Sequence, residues 1–465
     1  MTHINLYMRG FLVALMFAIP VPASAQDADL AVMNATLIDG TGKAPQKKVT
    51  ILVRDGLITS VGSTEKTIIP KSAHVIDATG KFVIPGLADM HVHFGSGGLI
   101  PADSFSAGRA MRQFLFYGVT SIFNVGAEGG GMEDILLFQE EDRVTWPHLY
   151  ATGGLITIPG SHPIATILRP PNDQPDSTYD WGHHGVWVVR TAEDIRRVVK
   201  SLASDGMNGI KIVVESGPTV YGDYHPQMSP ELIEAAVNEA NRQGIRVFAH
   251  ATSIDELQVA VAHHVHGIMH LVCDPEPPGT ALLKTMAAQN MYYVPTLSLY
   301  IWTGTWGDPS QVLTDPFLKR GVEARVINSL VHSALAPTSP PSEKDRQWRR
   351  GVLRALKSAH DAGVTIVGGS DTGNPFVFPG YSMHEELQLM VEAGLTPMEA
   401  LVASTRRAAE MIGKEKIFGT VEPGKRADLV ILRNDPLVDI RNTRTLDVVI
   451  RAGEIVDLGL LLTDE

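Results

Sequence analysis

The chain has 465 residues, of which 44% are hydrophobic and 19% charged, and its formal net charge is −12. This is an ordinary globular composition, sufficient for one large domain and a smaller one. The acidic balance argues against nucleic acid or an anionic membrane surface as the main partner. The single cysteine, Cys273, excludes an intramolecular disulfide, and we expect it to be a small buried residue rather than a nucleophile.

Residues 1–25 have the three parts of a secretory signal peptide. A positive charge at Arg9 precedes the apolar run Phe11–Val21, and small residues follow at Ala23–Ala25. The apolar run is shorter than the roughly 20 residues that a spanning helix needs, so we expect no stable membrane insertion. Cleavage after Ala25 would leave a periplasmic or secreted protein.

The two ends of the mature chain share one pattern. Residues 26–80 and 414–465 alternate apolar and polar residues between Asp-Gly, Thr-Gly and Asn-Asp turns, which is typical of short strands. We therefore predict a small β-sandwich domain built from both chain ends.

Residues 81–413 alternate strands and helices. A clear helix starts at Ser229 and Pro230 and ends at Gly244, and another starts at Thr396 with Glu399 at capping-box spacing. Eight strands alternating with helices predict an α/β fold, a (β/α)₈ TIM-type barrel. An open doubly wound sheet is the alternative, which the lack of a glycine-rich loop after the first strand weakens. The predicted strands are Phe82–Phe94, Val119–Val125, His148–Gly154, Gly209–Glu215, Arg246–Thr252, Gly267–Val272, Tyr292–Tyr300 and Val364–Asp371.

One connection, Ile156–Arg190, is long and rich in proline, histidine and tryptophan. Long connections in compact domains are often functional, so this insertion is interpreted as a lid or a pocket wall rather than an idle surface loop.

Candidate ligands cluster at the carboxyl ends of the predicted strands, where active sites of barrels lie. Residues i and i+2 of a strand share a face, so the first two histidines form a chelating pair. Each residue alone has an ordinary structural explanation, but six together favour a metal site with Zn²⁺ or another borderline first-row ion. The six residues are His91, His93, Lys211, His250, His270 and Asp371.

Six stretches of the chain resemble the amidohydrolase superfamily: PGLADMHVHFG, GIKI, AHA, IMHLV, GGSDTG and GTVEPGKRADLVIL. More narrowly, the chain resembles the imidazolonepropionase-related branch, which includes metal-dependent Xaa-Pro dipeptidases and carboxypeptidases. The resemblance covers residues 29–458.

The resemblance implies two divalent metal ions and a role for each strand-end residue. His91 and His93 would hold the first metal with Asp371, and His250 and His270 the second. Lys211 would be N-carboxylated and bridge both. Asp371 would also be the catalytic acid and base.

Other residues are assigned to the substrate or set aside. His162 is expected to face the substrate, although GGLITIPGSHP departs from the branch pattern. Tyr221 and Tyr224 are candidate hydrogen-bond donors to the intermediate or to a substrate carboxylate, and Arg169 is a weaker candidate clamp. The string HHVHG adds three expected non-ligands, His263, His264 and His266.

These features predict a binuclear hydrolase that cleaves an amide bond in a small substrate, such as a dipeptide, a C-terminal amino acid or an N-acyl amino acid. The alternatives are a cyclic-amide hydrolase or deaminase of the imidazolonepropionase type, a lactonase or phosphotriesterase-like enzyme, and a non-catalytic metal carrier. The oligomeric state stays open, with a homo-oligomer compatible with the sequence.

Overall fold

A computed structural model describes residues 29–94, 104–127, 145–168, 185–217, 222–302, 309–333 and 342–462. The predicted signal peptide, Arg169 and Tyr221 lie outside these residues. Within them, every helix is too short or too polar to cross a bilayer.

Within these ranges, the strands fall into one mixed sheet and two parallel sheets. Their bounds are β1 Leu30–Leu37, β2 Gln46–Arg54, β3 Leu57–Ser63, β4 His74–Asp77, β5 Phe82–Pro85, β6 Leu87–Phe94, β7 Val119–Ala127, β8 His148–Ala151, β9 Leu155–Thr157, β10 Val186–Val188, β11 Gly209–Val213, β12 Arg246–His250, β13 Gly267–Met269, β14 Tyr292–Val294, β15 Thr365–Ile366, β16 Leu429–Leu432, β17 Leu446–Arg451 and β18 Glu454–Ile455.

The mixed sheet joins both ends of the chain. Strands β1 to β5 pair with β16 to β18 through β5, which lies between β1 and β16. Alternating buried side chains give this sheet its own apolar core, which includes Val32, Ile51, Val83 and Ile431. The predicted union of both chain ends in a β-structure is therefore confirmed, as one hydrogen-bonded mixed sheet, while the division into domains stays a prediction.

The parallel strands form the barrel. Strand β6 pairs with β7 and β7 with β8, while β11 to β15 pair in chain order. The Asn208 N–H donates to Ala151 O and links β8 to β11. The Met90 N–H donates to Gly368 O, which joins β6 to the segment after β15. These eight strands confirm the predicted α/β barrel, and β9 and β10 add two parallel strands from the insertion.

Helices cover the barrel strands with amphipathic faces. Ser229 caps the helix Pro230–Gln243 and Gly244 ends it with φ of 72°, as predicted from the sequence. The α-helices are α1 Ser104–Phe116, α2 Ala192–Ser204, α3 Pro230–Gln243, α4 Ile254–Ala262, α5 Thr280–Ala288, α6 Leu297–Trp302, α7 Pro309–Thr314, α8 Ala324–Val331, α9 Glu343–Asp361, α10 Tyr381–Glu392, α11 Pro397–Ala403 and α12 Arg406–Met411.

Several predicted strands end earlier than expected, such as Val364–Asp371, which is observed only at Thr365–Ile366, and two predicted strands are wrong more substantially. The strand Phe82–Phe94 is two strands, because Gly86 turns the chain from the mixed sheet into the barrel. The strand Tyr292–Tyr300 ends at Val294, since the Glu386 carboxylate accepts the Leu297 and Ser298 N–H groups and starts α6.

The helix predicted from Thr396 is also divided. The capping box of Thr396 and Glu399 is present, but the helix breaks after Ala403. At this break the helix carbonyls form hydrogen bonds with the barrel. Ala403 O accepts from Gly368 N, and Ser404 O accepts from Ala88 N. Helix propensity is overridden by these tertiary hydrogen bonds.

We expect Gly86→Ala to destabilise the junction between the two sheets. A Cβ at position 86 would lie 2.1 Å from Thr120 Oγ1 and 2.8 Å from Thr120 Cβ. Such overpacking costs ~1–3 kcal/mol in free energy of unfolding, measurable by urea titration. Adding Thr120→Ala should restore part of the loss. Gly279→Ala is the matched control, because its new Cβ would meet no atom within 4 Å. Equal stability of the Gly86 and Gly279 variants would contradict the packing argument.

Candidate metal centre

Three segments of the barrel bring four of the predicted ligands together. His91 and His93 come from β6, Lys211 from β11, and Asp371 from the segment after β15. The Nε2 atoms of His91 and His93 lie 3.2 Å apart, and Lys211 Nζ lies 3.0 Å from His91 Nε2. Asp371 Oδ1 lies 3.5 Å from His91 Nε2 and 3.3 Å from His93 Nε2. These donor atoms are close enough to share one cation.

A second group contains His162, Glu215 and His250. Glu215 Oε2 lies 2.5 Å from His250 Nε2 and 4.0 Å from His162 Nδ1. The His162 ring stacks on that of His250, with centroids 4.5 Å apart. The insertion therefore contributes at least one side chain, His162, to the buried site.

His270 lies between the two groups. Its ring centroid is 4.6 Å from that of His91 and 4.4 Å from that of His250. His270 Nδ1 is 3.1 Å from Thr296 Oγ1 and 3.5 Å from Asp371 Oδ2. All six predicted strand-end residues thus meet in one continuous cluster.

Burial sets the protonation of this cluster. It holds the pKa values of His91, His93 and His270 well below the usual value, so these imidazoles stay neutral and keep a lone pair. Burial lowers the pKa of Lys211 to about 8 and raises that of Asp371 to about 7. Neutral imidazoles and an amine that readily loses its proton are what cation binding requires.

Lone pairs face one another in the first group. The His93 Nδ1–H donates to Gly126 O, because a carbonyl can only accept, and His93 Nε2 therefore carries the lone pair. Asp371 Oδ1 and His91 Nδ1 are buried and have no hydrogen-bond partner among the described residues. A buried unsatisfied polar atom costs ~1–3 kcal/mol. A cation bound by the two Nε2 atoms would offset this cost at Asp371 Oδ1, but it would not reach His91 Nδ1. The nitrogen and oxygen donors suit Zn²⁺ and related ions.

The backbone at these positions is strained. His270, Thr296 and Asp371 adopt positive φ values of 78°, 49° and 63°, which non-glycine residues rarely do. Asp89, fully buried, holds the loop by accepting hydrogen bonds from Ser370 N at 2.9 Å and Ser370 Oγ at 2.5 Å. Strain of this kind clusters at functional sites.

The structure places the remaining candidates elsewhere or outside its range. Tyr224 is 84% exposed on the surface, so its contact with a substrate stays a prediction, as does that of Tyr221. His266 Nδ1 accepts from Val247 N near the start of β12, away from the carboxyl ends. Cys273 is buried, and burial raises its thiol pKa, which agrees with a packing role.

Sequence reasoning missed Glu215 and Asp89. It also missed the hydrogen-bond partners of the histidines: Gly126 for His93, Thr296 for His270, and Thr166, whose Oγ1 lies 2.7 Å from His162 Nδ1. A signal for Glu215 was available, because it follows Lys211 by four residues on a buried strand and so shares its face. Asp89 precedes His91 by two residues and could have been found in the same way.

Comparison with known proteins agrees with this geometry. The model of the amidohydrolase family matches residues 82–456. Over 449 residues the chain is 22% identical to an adenine deaminase of Paracoccus denitrificans, covering 96% of this chain and 60% of that relative. Over 100 residues it is 36% identical to an imidazolonepropionase of Geobacillus kaustophilus, covering 21% of this chain and 23% of that enzyme. The chain thus spans about 60% of the length of the adenine deaminases it matches.

Solved structures match along nearly the whole chain. A structure described as a putative prolidase from Bifidobacterium longum is 27% identical, with a TM-score of 0.71 over 93% of this chain and 98% of its own. A Xaa-Pro dipeptidase solved with methionine in its active site is 24% identical, with a TM-score of 0.70 over 92% and 99% of the two chains. With the family model matching most of its length, the chain belongs to the amidohydrolase family.

Proposed function

We propose that the protein is a binuclear metal-dependent amidohydrolase that cleaves an amide or peptide bond in a small substrate. The observation that carries this proposal is the buried convergence of His91, His93, Lys211 and Asp371, with Asp371 Oδ1 unpaired among the described residues. His250 and His270 lie beside them, buried in the same cluster, with their ring centroids 4.4 Å apart. Two adjacent ligand groups suit a two-metal hydrolase better than a carrier that releases its metal.

The chain's residues divide between two cations. His91, His93 and Asp371 would hold the first, and His250 and His270 the second, with Lys211 as an N-carboxylated bridge. A carbamate forms only on a neutral amine, and burial lowers the Lys211 pKa to about 8, so carbon dioxide could add near neutral pH. When bound, divalent cations generate a hydroxide near neutral pH and polarise the scissile carbonyl.

Asp371 is proposed to move the proton. Its Oδ1 lies 3.5 Å from His91 Nε2 and 3.3 Å from His93 Nε2, a central position that suits a group that accepts a proton and then gives it to the leaving amine. Asp89 and Ser370 hold the Asp371 loop in place. The neutral histidine side chains would bind the cations without taking up the proton that Asp371 transfers.

The substrate is proposed from the relatives. The B. longum structure is described as a putative prolidase, and the Xaa-Pro dipeptidase was solved with methionine in its active site. We therefore propose a dipeptide, C-terminal amino acid or N-acyl amino acid as substrate. His162 would line its site, and export through the signal peptide would place the reaction in the periplasm or outside the cell.

A second candidate is hydrolysis or deamination of a cyclic amide. The 36% identity to an imidazolonepropionase and the match to adenine deaminases favour it. The position of Lys211, 3.0 Å from His91 Nε2, speaks against a one-metal site of this kind, since such a site needs no bridging carbamate.

We expect the mature protein loaded with Zn²⁺ to release a free amino acid from a peptide or N-acyl amino acid. The measurement is mass spectrometry of products from a panel of Xaa-Pro and other dipeptides, N-acyl amino acids, cyclic imides, lactones and a phosphotriester. A chelator should abolish turnover, and added Zn²⁺ should restore it. Turnover of ring substrates alone would favour the second candidate, and esters alone a lactonase or phosphotriesterase. Reversible metal binding without turnover would favour the carrier.

We expect Lys211→Ala to lower kcat/KM at least ~100-fold, because the bridge between the cations is lost. Protein reconstituted with ¹³C-bicarbonate should show a carbamate carbon signal by NMR, and the variant should lack it. The control is Lys357→Ala, which removes an exposed lysine paired with Asp361 and should change neither result. Near-normal activity of the Lys211 variant would disprove the bridging role.

A further inference from the structure

Glu215 has no role in the proposed ligand set, although it is fully buried beside His250. We propose that Glu215 is a positioning residue of the second cation site, which binds the Nε2–H of His250 and leaves Nδ1 of that ring for the cation. The inference rests on the proposed function, because it takes a second cation as present.

The distance between Glu215 Oε2 and His250 Nε2 shows whether these two atoms form a hydrogen bond or bind the same cation. Two ligand atoms on one tetrahedral Zn²⁺, each at ~2.0–2.1 Å, lie ~3.3 Å apart. The Nε2 atoms of His91 and His93 meet this spacing at 3.2 Å. Glu215 Oε2 and His250 Nε2, at 2.5 Å, are too close for it and lie at the distance of a short charge-assisted hydrogen bond.

Apart from His91, the other histidines of the cluster follow the same rule. One ring nitrogen of each contacts a fixed partner: His93 meets Gly126 O, His270 meets Thr296 Oγ1 and His162 meets Thr166 Oγ1. Such partners fix the tautomer and orientation of a metal-binding imidazole. Glu215 is the carboxylate in this set, so it also makes His250 a stronger donor to a cation.

The total charge of a site with two cations also favours a buried carboxylate at Glu215. Two divalent cations carry four positive charges, while Asp371, a carbamate on Lys211 and one hydroxide carry three negative charges. The Glu215 carboxylate, like the buried carboxylates of Asp89 and Glu256 nearby, adds negative charge that reduces this excess, which lowers the cost of an uncompensated buried charge.

The described neighbouring residues make few other contacts with the Glu215 carboxylate, so its Oε2 faces His250 and His162. Its Oε1 accepts from Thr252 Oγ1 at 3.2 Å. The neighbouring backbone amides bind another buried carboxylate instead, because Glu256 accepts from Ser216 N, Thr252 N and Ser253 N. Glu256 is therefore a matched control position, because it is a buried carboxylate nearby that accepts hydrogen bonds from backbone amides.

The test is a Co²⁺ titration of the metal-free full chain, followed by d–d absorption and by the metal bound per chain. The wild type should bind two equivalents. Glu215→Gln should bind the first with unchanged affinity and the second ~10–100-fold more weakly, with the same band shape at saturation. Glu215→Asp, which keeps the charge, should recover part of the affinity, and Glu256→Gln should bind both equivalents as the wild type does.

Two results for Glu215→Gln would overturn the inference. Unchanged affinity for both equivalents in Glu215→Gln would show that the carboxylate does not act on the site. A changed band shape at saturation would make Glu215 a direct ligand. A wild type that binds one equivalent would instead refute the two-cation function itself. If Glu215→Gln does not fold, Glu215→Ala, which also removes the charge, carries the same measurement, and an unchanged second affinity there refutes the role.

Discussion

The site depends on the hydrogen bonds that close the barrel between its last and first strands. The Asp371 N–H donates to His91 O at 2.8 Å, and the His93 N–H donates to Thr372 O at 2.7 Å. Each bond joins a backbone group of one candidate ligand to the segment that carries another. The separation of the β6 histidines from Asp371 is therefore set by barrel closure, and a shift along this seam would separate the donor atoms.

Burial gives these side chains their chemistry. In water, lysine would be charged and aspartate ionised, but within this barrel burial moves the pKa of both towards neutrality. Neutral imidazoles are held by contacts at one nitrogen, such as that between His93 and Gly126 O. The positive φ values at His270 and Asp371 have a conformational cost, which the surrounding contacts must offset to hold this geometry.

The two halves of the cluster differ in origin. The first half comes from strands β6 and β11 and from the closing segment, which are parts of the barrel itself. The second half includes His162, which enters from the insertion between β9 and β10, and Glu215, which extends beyond the end of β11. A barrel of fixed architecture can change its substrate through such additions, since the segments after the strands surround the mouth.

The sequence by itself determined the alternation of strands and helices, the β-structure from both chain ends and the ligand-bearing strand ends, because these follow from local periodicity and residue type. Only the tertiary structure decided where Phe82–Phe94 divides and why the helix after Thr396 breaks at Ser404, since both depend on backbone groups distant in sequence. The pairing of Glu215 with His250 was likewise beyond sequence reasoning. A strand pattern shows which face a side chain occupies, but which atoms meet across the barrel depends on register and closure.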